Sequence, residues 1–259
     1  MEMNFKGKNV VITGGNAGIG LAAAKLFAKC GANVAVCARR EDKLAKAVDE
    51  IKEFGTVVYG EVCDVGKSEQ LFRFADNVEK ALGVIDVWVS NAGLAKAAKI
   101  ADTSEESWDE QFNVNLKSVF IGAKIAKDKM KNGGVLINAS SFAALMPSVN
   151  TGVYAATKAA ISSLTRTLAS ELAPNKIRVV GYIPGVIDTD INAQRIENEC
   201  DSLLESISMR QFGTAEDVAN GIVFLASEYA SYISGSCLEI HGGKYSTQNP
   251  IAAWNIKKE

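Results

Sequence analysis

The chain has 259 residues, 47% hydrophobic and 22% charged, enough for one sizeable core in a single α/β domain. A net charge of −2 without a long lysine-arginine run argues against nucleic acid and anionic lipid as partners, and apolar runs such as Val84 to Val89 fall far short of the roughly 20 residues a bilayer span needs. Five scattered cysteines without a Cys-x-x-Cys, one histidine (His241) and no signal-peptide core lead us to expect a cytoplasmic protein with reduced thiols and no metal site.

Short β-rich runs alternate with helical patterns along the whole chain. A strand near 9–13 runs into Thr13-Gly14-Gly15-Asn16-Ala17-Gly18-Ile19-Gly20 and then a helix with Ile19, Ala23, Leu26 and Cys30 on one face, stopped at Gly31. Glycines in such a turn let backbone approach a pyrophosphate, and the helix N-terminus offers free N–H groups and the positive end of its dipole. A dehydrogenase selecting NAD carries a carboxylate about 20 residues later, at the end of strand two. This chain, with its second strand near 33–37, has Ala38 there, followed by Arg39 and Arg40. Their guanidinium groups can bond a 2′-phosphate, so NADP(H) is preferred over NAD(H); the plainer reading is that the arginines merely start the next helix.

Strands near 56–61 and 85–90 lead into Cys63-Asp64-Val65 and Ser90-Asn91-Ala92-Gly93, and Asn115 falls in the helix that follows. A strand near 134–139 ends at Ser140-Ser141. The next helix carries Tyr154 and Lys158, has Ile161, Leu164, Leu168 and Leu172 along one face, and stops at Pro174. Strands near 177–182 and 237–241 close the series, the first entering Pro184-Gly185-x-x-x-Thr189. The alternation predicts an α/β fold: a doubly wound, Rossmann-type sheet of about seven parallel strands flanked by helices, with ligands at the carboxyl ends of the strands. One domain is expected over 1–243, with a C-terminal extension over 244–259.

The Gly-x-x-x-Gly-x-Gly spacing, followed in order by Asp64, Asn91-Ala92-Gly93, Asn115, Ser141, Tyr154-x-x-x-Lys158 and Pro184-Gly185-x-x-x-Thr189, resembles the short-chain dehydrogenase/reductase family over nearly the whole chain. The resemblance implies a nicotinamide cofactor on a loop of Gly14, Asn16, Gly18, Ile19 and Gly20. Asp64 would bond the adenine amino group with Val65 beside it, and Asn91, Ala92 and Gly93 would contact the adenosine portion. Pro184 and Gly185 belong to the same cofactor set, with Ile187 and Thr189 at the nicotinamide carboxamide. For Asp64, a helix N-cap is the structural alternative.

Tyr154 and Lys158, four apart, share a helix face. A phenol with pKa about 10 is a poor base, but a lysine cation about 4 Å away contributes roughly 4 kcal/mol at an effective dielectric near 20, which predicts a phenol drawn toward neutrality. The resemblance further implies that Ser141 orients the substrate oxygen, that Asn115 supports a water beside the lysine, and that Tyr154 and Lys158 also touch cofactor. Ser140 is the alternate to Ser141 if the register slips. Tyr154 then donates a proton as hydride passes from reduced nicotinamide to a carbonyl carbon, and oxidation reverses this. Taken singly, each residue has a structural explanation; their joint occurrence favours catalysis. A serine hydrolase would need His241 as base and lacks a Gly-x-Ser-x-Gly elbow.

Ser90, Val180 and His241 depart from residues usual in the family, which bears on backbone support more than on chemistry. Phe142, Leu145, Met146 and Val149, with segment 190–212 carrying Ile196, Leu203, Leu204, Ile207 and Met209, either line an apolar substrate pocket or pack into core. The expected substrate is a small carbonyl or alcohol: a hydroxysteroid or other bulky alicyclic ketone, with a 3-oxoacyl thioester or a polyol as alternatives. A non-catalytic cofactor-binding regulator is the alternative of another class. Related enzymes often form tetramers; Ala155, Ala156, Ala159 and Ala160 allow close helix approach, and Tyr245, Pro250, Ile251 and Trp254 make an apolar tail. We therefore expect a homotetramer whose tails cross neighbouring subunits, with Lys257-Lys258-Glu259 solvated.

Overall fold

The valine-rich runs of the sequence form strands buried on both faces, as near-continuous apolar segments of a parallel sheet must be. In the computed structural model, which describes residues 3–255, β1 (Asn9–Thr13) and β4 (Val87–Ser90) have every residue buried. With β2 (Asn33–Ala38), β3 (Val58–Val62), β5 (Gly134–Ala139), β6 (Ile177–Pro184) and β7 (Cys237–Ile240) they make one seven-stranded sheet in the order β3-β2-β1-β4-β5-β6-β7. Every pairing is parallel. Chain direction across the sheet reverses between β1 and β4, where a crevice opens at the carboxyl ends.

The pleat divides the core in two. Val10 and Ile12 of β1 face helices α1 (Gly18–Lys29), α2 (Glu41–Lys52) and α8 (Ala215–Ala226), through Phe27, Ile51 and Ile222. Val11 faces the other side, where α3 (Ser68–Leu82) contributes Phe74 and α5 (Ser118–Lys129) contributes Ile125, around Trp88. Helix α6 (Gly152–Glu171) packs against β6 and buries Ile161; Leu164 and Leu168 are half-buried. A capping box between Thr214 and Asp217 fixes the start of α8, as a threonine followed three residues later by an acid favours.

Several expected boundaries shift. The third strand spans 58–62 rather than 56–61, the fourth starts at Val87, the sixth runs on to Pro184 and the seventh stops at Ile240. Asn115 is not in a regular helix but in a π-helical turn, Phe112–Lys117, between α4 (Glu105–Gln111) and α5. Helix α7 (Ala193–Glu205), inside segment 190–212, departs from helical geometry at Glu199.

The choice between pocket and core for segment 190–212 resolves residue by residue. Leu203 and Ile207 are buried with Val186 in a small separate core that Ile196 and Phe212 pack against, whereas Met209 is 58% exposed. The tail folds back on this segment of its own subunit: Tyr245 N–H donates to Ser206 O at 2.9 Å and Trp254 Nε1 to Ser208 O at 2.9 Å. Two of the tail's polar groups thus find partners within its own subunit, while Tyr245 and Trp254 remain 43% and 60% exposed; Lys257-Lys258-Glu259 lie outside the described residues. His241 is structural, its Nδ1 accepting from Lys244 N–H at 3.1 Å and its Nε2 meeting Glu239 at 2.7 Å. Among the described residues no helix is long and apolar enough to cross a membrane.

Candidate active site

A cleft of about 520 Å³ lies over the carboxyl ends of β1, β2, β4, β5 and β6. Its floor begins at Gly14, with a φ of +67° that few side chains tolerate, and continues to Gly18, with φ +50°. Helix α1 starts there without a side-chain cap on Ala17 and without an acid in its first turn, so its leading N–H groups stay available to an anion. A Cβ on Gly20 would lie 2.3 Å from the Gly14 carbonyl oxygen, so this close approach of helix to loop admits only glycine. That cradle fits a pyrophosphate, and Asn16 and Ile19 line it with the glycines.

The loop is tied to the rest of the sheet by a bonded chain. Thr13 Oγ1 accepts from the backbone N–H groups of Asn91 (3.0 Å) and Ala92 (3.1 Å). Asn91 Nδ2 donates to Thr13 O at 2.9 Å and Gly14 O at 3.2 Å, and its Oδ1 accepts from Tyr182 at 2.9 Å. Sequence reasoning missed Tyr182 and the hydroxyl of Thr13; their partners lie 91 and 78 residues away, and only the strand order brings them together.

At the outer end, Arg39, Arg40, Asp64 and Val65 line the cleft with Asn91, Ala92 and Gly93. Arg39 is 56% exposed, its Nη1 3.7 Å from Glu110 Oε1, and Lys96 joins the same carboxylate. Arg40 sits at the N-cap position of α2, so the structural reading of the pair is met in part while both still face the cleft. Asp64 is not a helix N-cap, because α3 starts after Lys67; its Oδ1 instead accepts from Gly66 N–H at 3.0 Å, closing the turn.

At the inner end, Tyr154, Lys158, Pro184 and Thr189 line the wall, whereas Asn115, Ser141, Gly185 and Ile187 stand behind or beside it. Ile187 is buried in core, and Gly185 is needed where a Cβ would lie 2.6 Å from that of His241. Asn115 is fully buried and grips the Leu94 peptide from both sides, accepting from its N–H at 2.7 Å and donating to its carbonyl at 2.9 Å, with a further bond to Thr157. The side-chain N–H groups are thereby committed to protein. Ser141 hydrogen-bonds Tyr154, while the Ser140 hydroxyl turns away to Lys158 O and Ser162.

The charge argument for Tyr154 is corrected by the geometry. Lys158 Nζ, 5.6 Å from the centroid of the Tyr154 ring, donates to Ala139 O at 2.8 Å. Burial dominates both groups: it pushes the Tyr154 phenol up, against the opposing Ser141 bond, and pushes Lys158 down to about 8. The departures from the usual pattern are absorbed locally. Ser90 accepts from Trp88 Nε1 at 3.1 Å, and Val180 is fully buried. Leu145, Met146 and Val149 stay exposed at 51%, 47% and 81%, and Phe142 stacks on Tyr245.

A family model described as enoyl-(acyl carrier protein) reductase matches residues 14–244. The chain is 38% identical over 249 residues to 3beta-hydroxysteroid dehydrogenase 1 of Eggerthella lenta, covering 94% of this chain and 95% of that protein. Among solved structures, L-sorbose reductase from Gluconobacter frateurii, complexed with NADPH and L-sorbose, superposes with a TM-score of 0.89 at 32% identity over 95% of this chain and 100% of that one. A 7 alpha-hydroxysteroid dehydrogenase complexed with NADH and 7-oxo glycochenodeoxycholic acid gives 0.90 at 34% identity, covering 96% and 98%.

Proposed function

The chain belongs to the short-chain dehydrogenase/reductase family and is an oxidoreductase acting on CH–OH groups, and from that premise we propose that it interconverts a ketone and a secondary alcohol with NADP(H), Tyr154 serving as acid and base. The observation that carries this reading is the meeting of Tyr154 with Ser141 and Lys158 at the inner end of a glycine-framed cleft.

The bound nucleotide supplies the hydride in reduction and takes it in oxidation. In reduction Tyr154 gives its phenolic proton to the carbonyl oxygen, and in oxidation it takes the alcohol proton. Ser141, already bonded to the phenol, orients the reacting oxygen. Lys158, with its pKa pushed to about 8, is still largely a cation at pH 7 and provides positive charge close to a phenolate. Asn115 holds the Leu94 peptide and Thr157 in register beside them. Ala38 in place of a carboxylate, with Arg39 and Arg40 after it, suits a 2′-phosphate, and a relative solved with NADPH supports that choice.

A hydroxysteroid or similar bulky alicyclic ketone is the proposed substrate, supported by the hydroxysteroid dehydrogenases among the relatives and by the exposed apolar Leu145, Met146 and Val149 that follow Ser141 in the chain. The acyl-carrier description of the family model and the sorbose-complexed relative favour a 3-oxoacyl thioester or a polyol as second readings. We place the protein in the cytoplasm as a homotetramer, for which the exposed Ala156 and Ala159 on α6 offer a close-packing face. A panel of these carbonyls with NADPH and NADH tests the reading. Tyr154→Phe is expected to keep nucleotide binding and lose about 10²- to 10⁴-fold in single-turnover reduction. Near-normal reduction by that variant would refute it.

A further inference from the structure

Tyr182 projects from β6 beneath the cleft, and its side chain is 1% exposed. An aliphatic residue would fill such a strand position without bringing a hydroxyl into the core, and a buried hydroxyl needs a partner. Its partner is Asn91, reached from β6 across β5, at the end of β4. Burial pushes this phenol well above its ordinary value, so it remains a donor wherever the protein is folded.

Asn91 turns both of its side-chain N–H groups in one direction. With Oδ1 held by Tyr182, both Nδ2 hydrogens point at the carbonyls of Thr13 and Gly14. Turning the amide over would set Oδ1 against those two carbonyl oxygens, and the Tyr182 hydroxyl would have to rotate to accept an N–H instead of donating. The two carbonyls belong to the first peptides of the glycine loop, and a carbonyl released from Asn91 would present its negative end to any anion that the loop receives.

We propose that Tyr182 is a positioning residue for nucleotide binding, acting through Asn91 to keep the Thr13 and Gly14 carbonyls engaged and the phosphate loop set. The inference rests on the nicotinamide-dinucleotide reading of the cleft but not on the choice between NADP and NAD, since the pyrophosphate is common to both.

The test is Tyr182→Phe, with nucleotide dissociation constants from calorimetry, melting temperature, and steady-state constants. The variant is expected to bind NADPH and NADH each about five- to tenfold more weakly, as loss of one buried hydrogen bond implies. The nucleotide KM should rise by a similar factor, while kcat at saturating nucleotide falls by less than twofold. In an Asn91→Ala background, the same substitution should weaken binding no further. Unchanged dissociation constants with a lower melting temperature would reduce Tyr182 to a structural residue and overturn the inference, as would a full effect persisting without Asn91. Failure of the unmodified protein to bind either nucleotide would overturn the parent reading and this inference with it.

Discussion

Gly20→Ala adds one methyl group at the closest approach in the phosphate loop. Its Cβ would lie 2.3 Å from Gly14 O and 2.5 Å from Asn91 Nδ2, about 1 Å inside ordinary contact. Two effects oppose each other. Alanine in a helix is favoured over glycine by about 1 kcal/mol, whereas overpacking costs typically about 1–3 kcal/mol. Here the obstructing atoms are a backbone carbonyl and an amide pinned by three hydrogen bonds, so the steric effect takes the upper end and wins. We expect a net loss of about 1–2 kcal/mol, a melting temperature lower by about 2–8 °C for a chain of this size, and nucleotide binding weakened about tenfold or more. Differential scanning calorimetry with and without NADPH measures both. A variant that melts at or above the parent temperature and binds nucleotide within twofold would refute the reasoning.

Arg39→Ala should weaken NADPH about ten- to hundredfold and NADH little, from the loss of about 1.5–3 kcal/mol for a bond to a charged group; equal losses in a side-by-side titration would deny Arg39 a 2′-phosphate role. Glu79, hydrogen-bonded by Lys129 at the end of α5 and by Lys131 just beyond it, is held down to about 2 from its ordinary 4.5. Its folded-state pKa being depressed, the stability it confers is full above the unfolded value and is lost as pH falls through about 2. The carboxylate is partly open to solvent, which leaves about 1 kcal/mol. Glu79→Gln should lose that at pH 7 and flatten the fall in urea midpoint between pH 5 and 2, and an unaltered acid limb would contradict it.

What the sequence disclosed was governed by local rules. The glycine loop is legible because Gly14, Gly18 and Gly20 meet a backbone requirement within a few residues of each other, and the placing of Tyr154 with Lys158 because one helix carries both. The seven strands are legible from apolar runs, with β3 displaced because none of its residues is fully buried and its ends are blurred. What stayed hidden depends on distance in the chain. Nothing near Tyr182 indicates that Asn91 is its partner, and no helical period reveals that the turn around Asn115 widens to π geometry and carries its amide to Leu94. Spacing alone does not convey the surroundings of Tyr154, because a residue count gives neither its burial nor the Ala139 carbonyl that engages Lys158. The tail's return to its own subunit is equally hidden, since the backbone acceptors at Ser206 and Ser208 are not visible in side-chain composition.

Because β1 lies between β2 and β4, a chain growing from the ribosome can assemble β3-β2-β1-β4 once residue 90 has emerged, long before β5 is available. Until β5 docks, β4 presents an apolar strand edge of Val87, Trp88 and Val89, a template for pairing with another chain. That partial product already holds the whole glycine loop, yet Tyr154, Lys158 and Tyr182 belong to segments still to be made. On the proposed function, a nucleotide spanning both halves of the sheet would favour the finished fold over the half-made one, guarding the completed chain more than the stalled one.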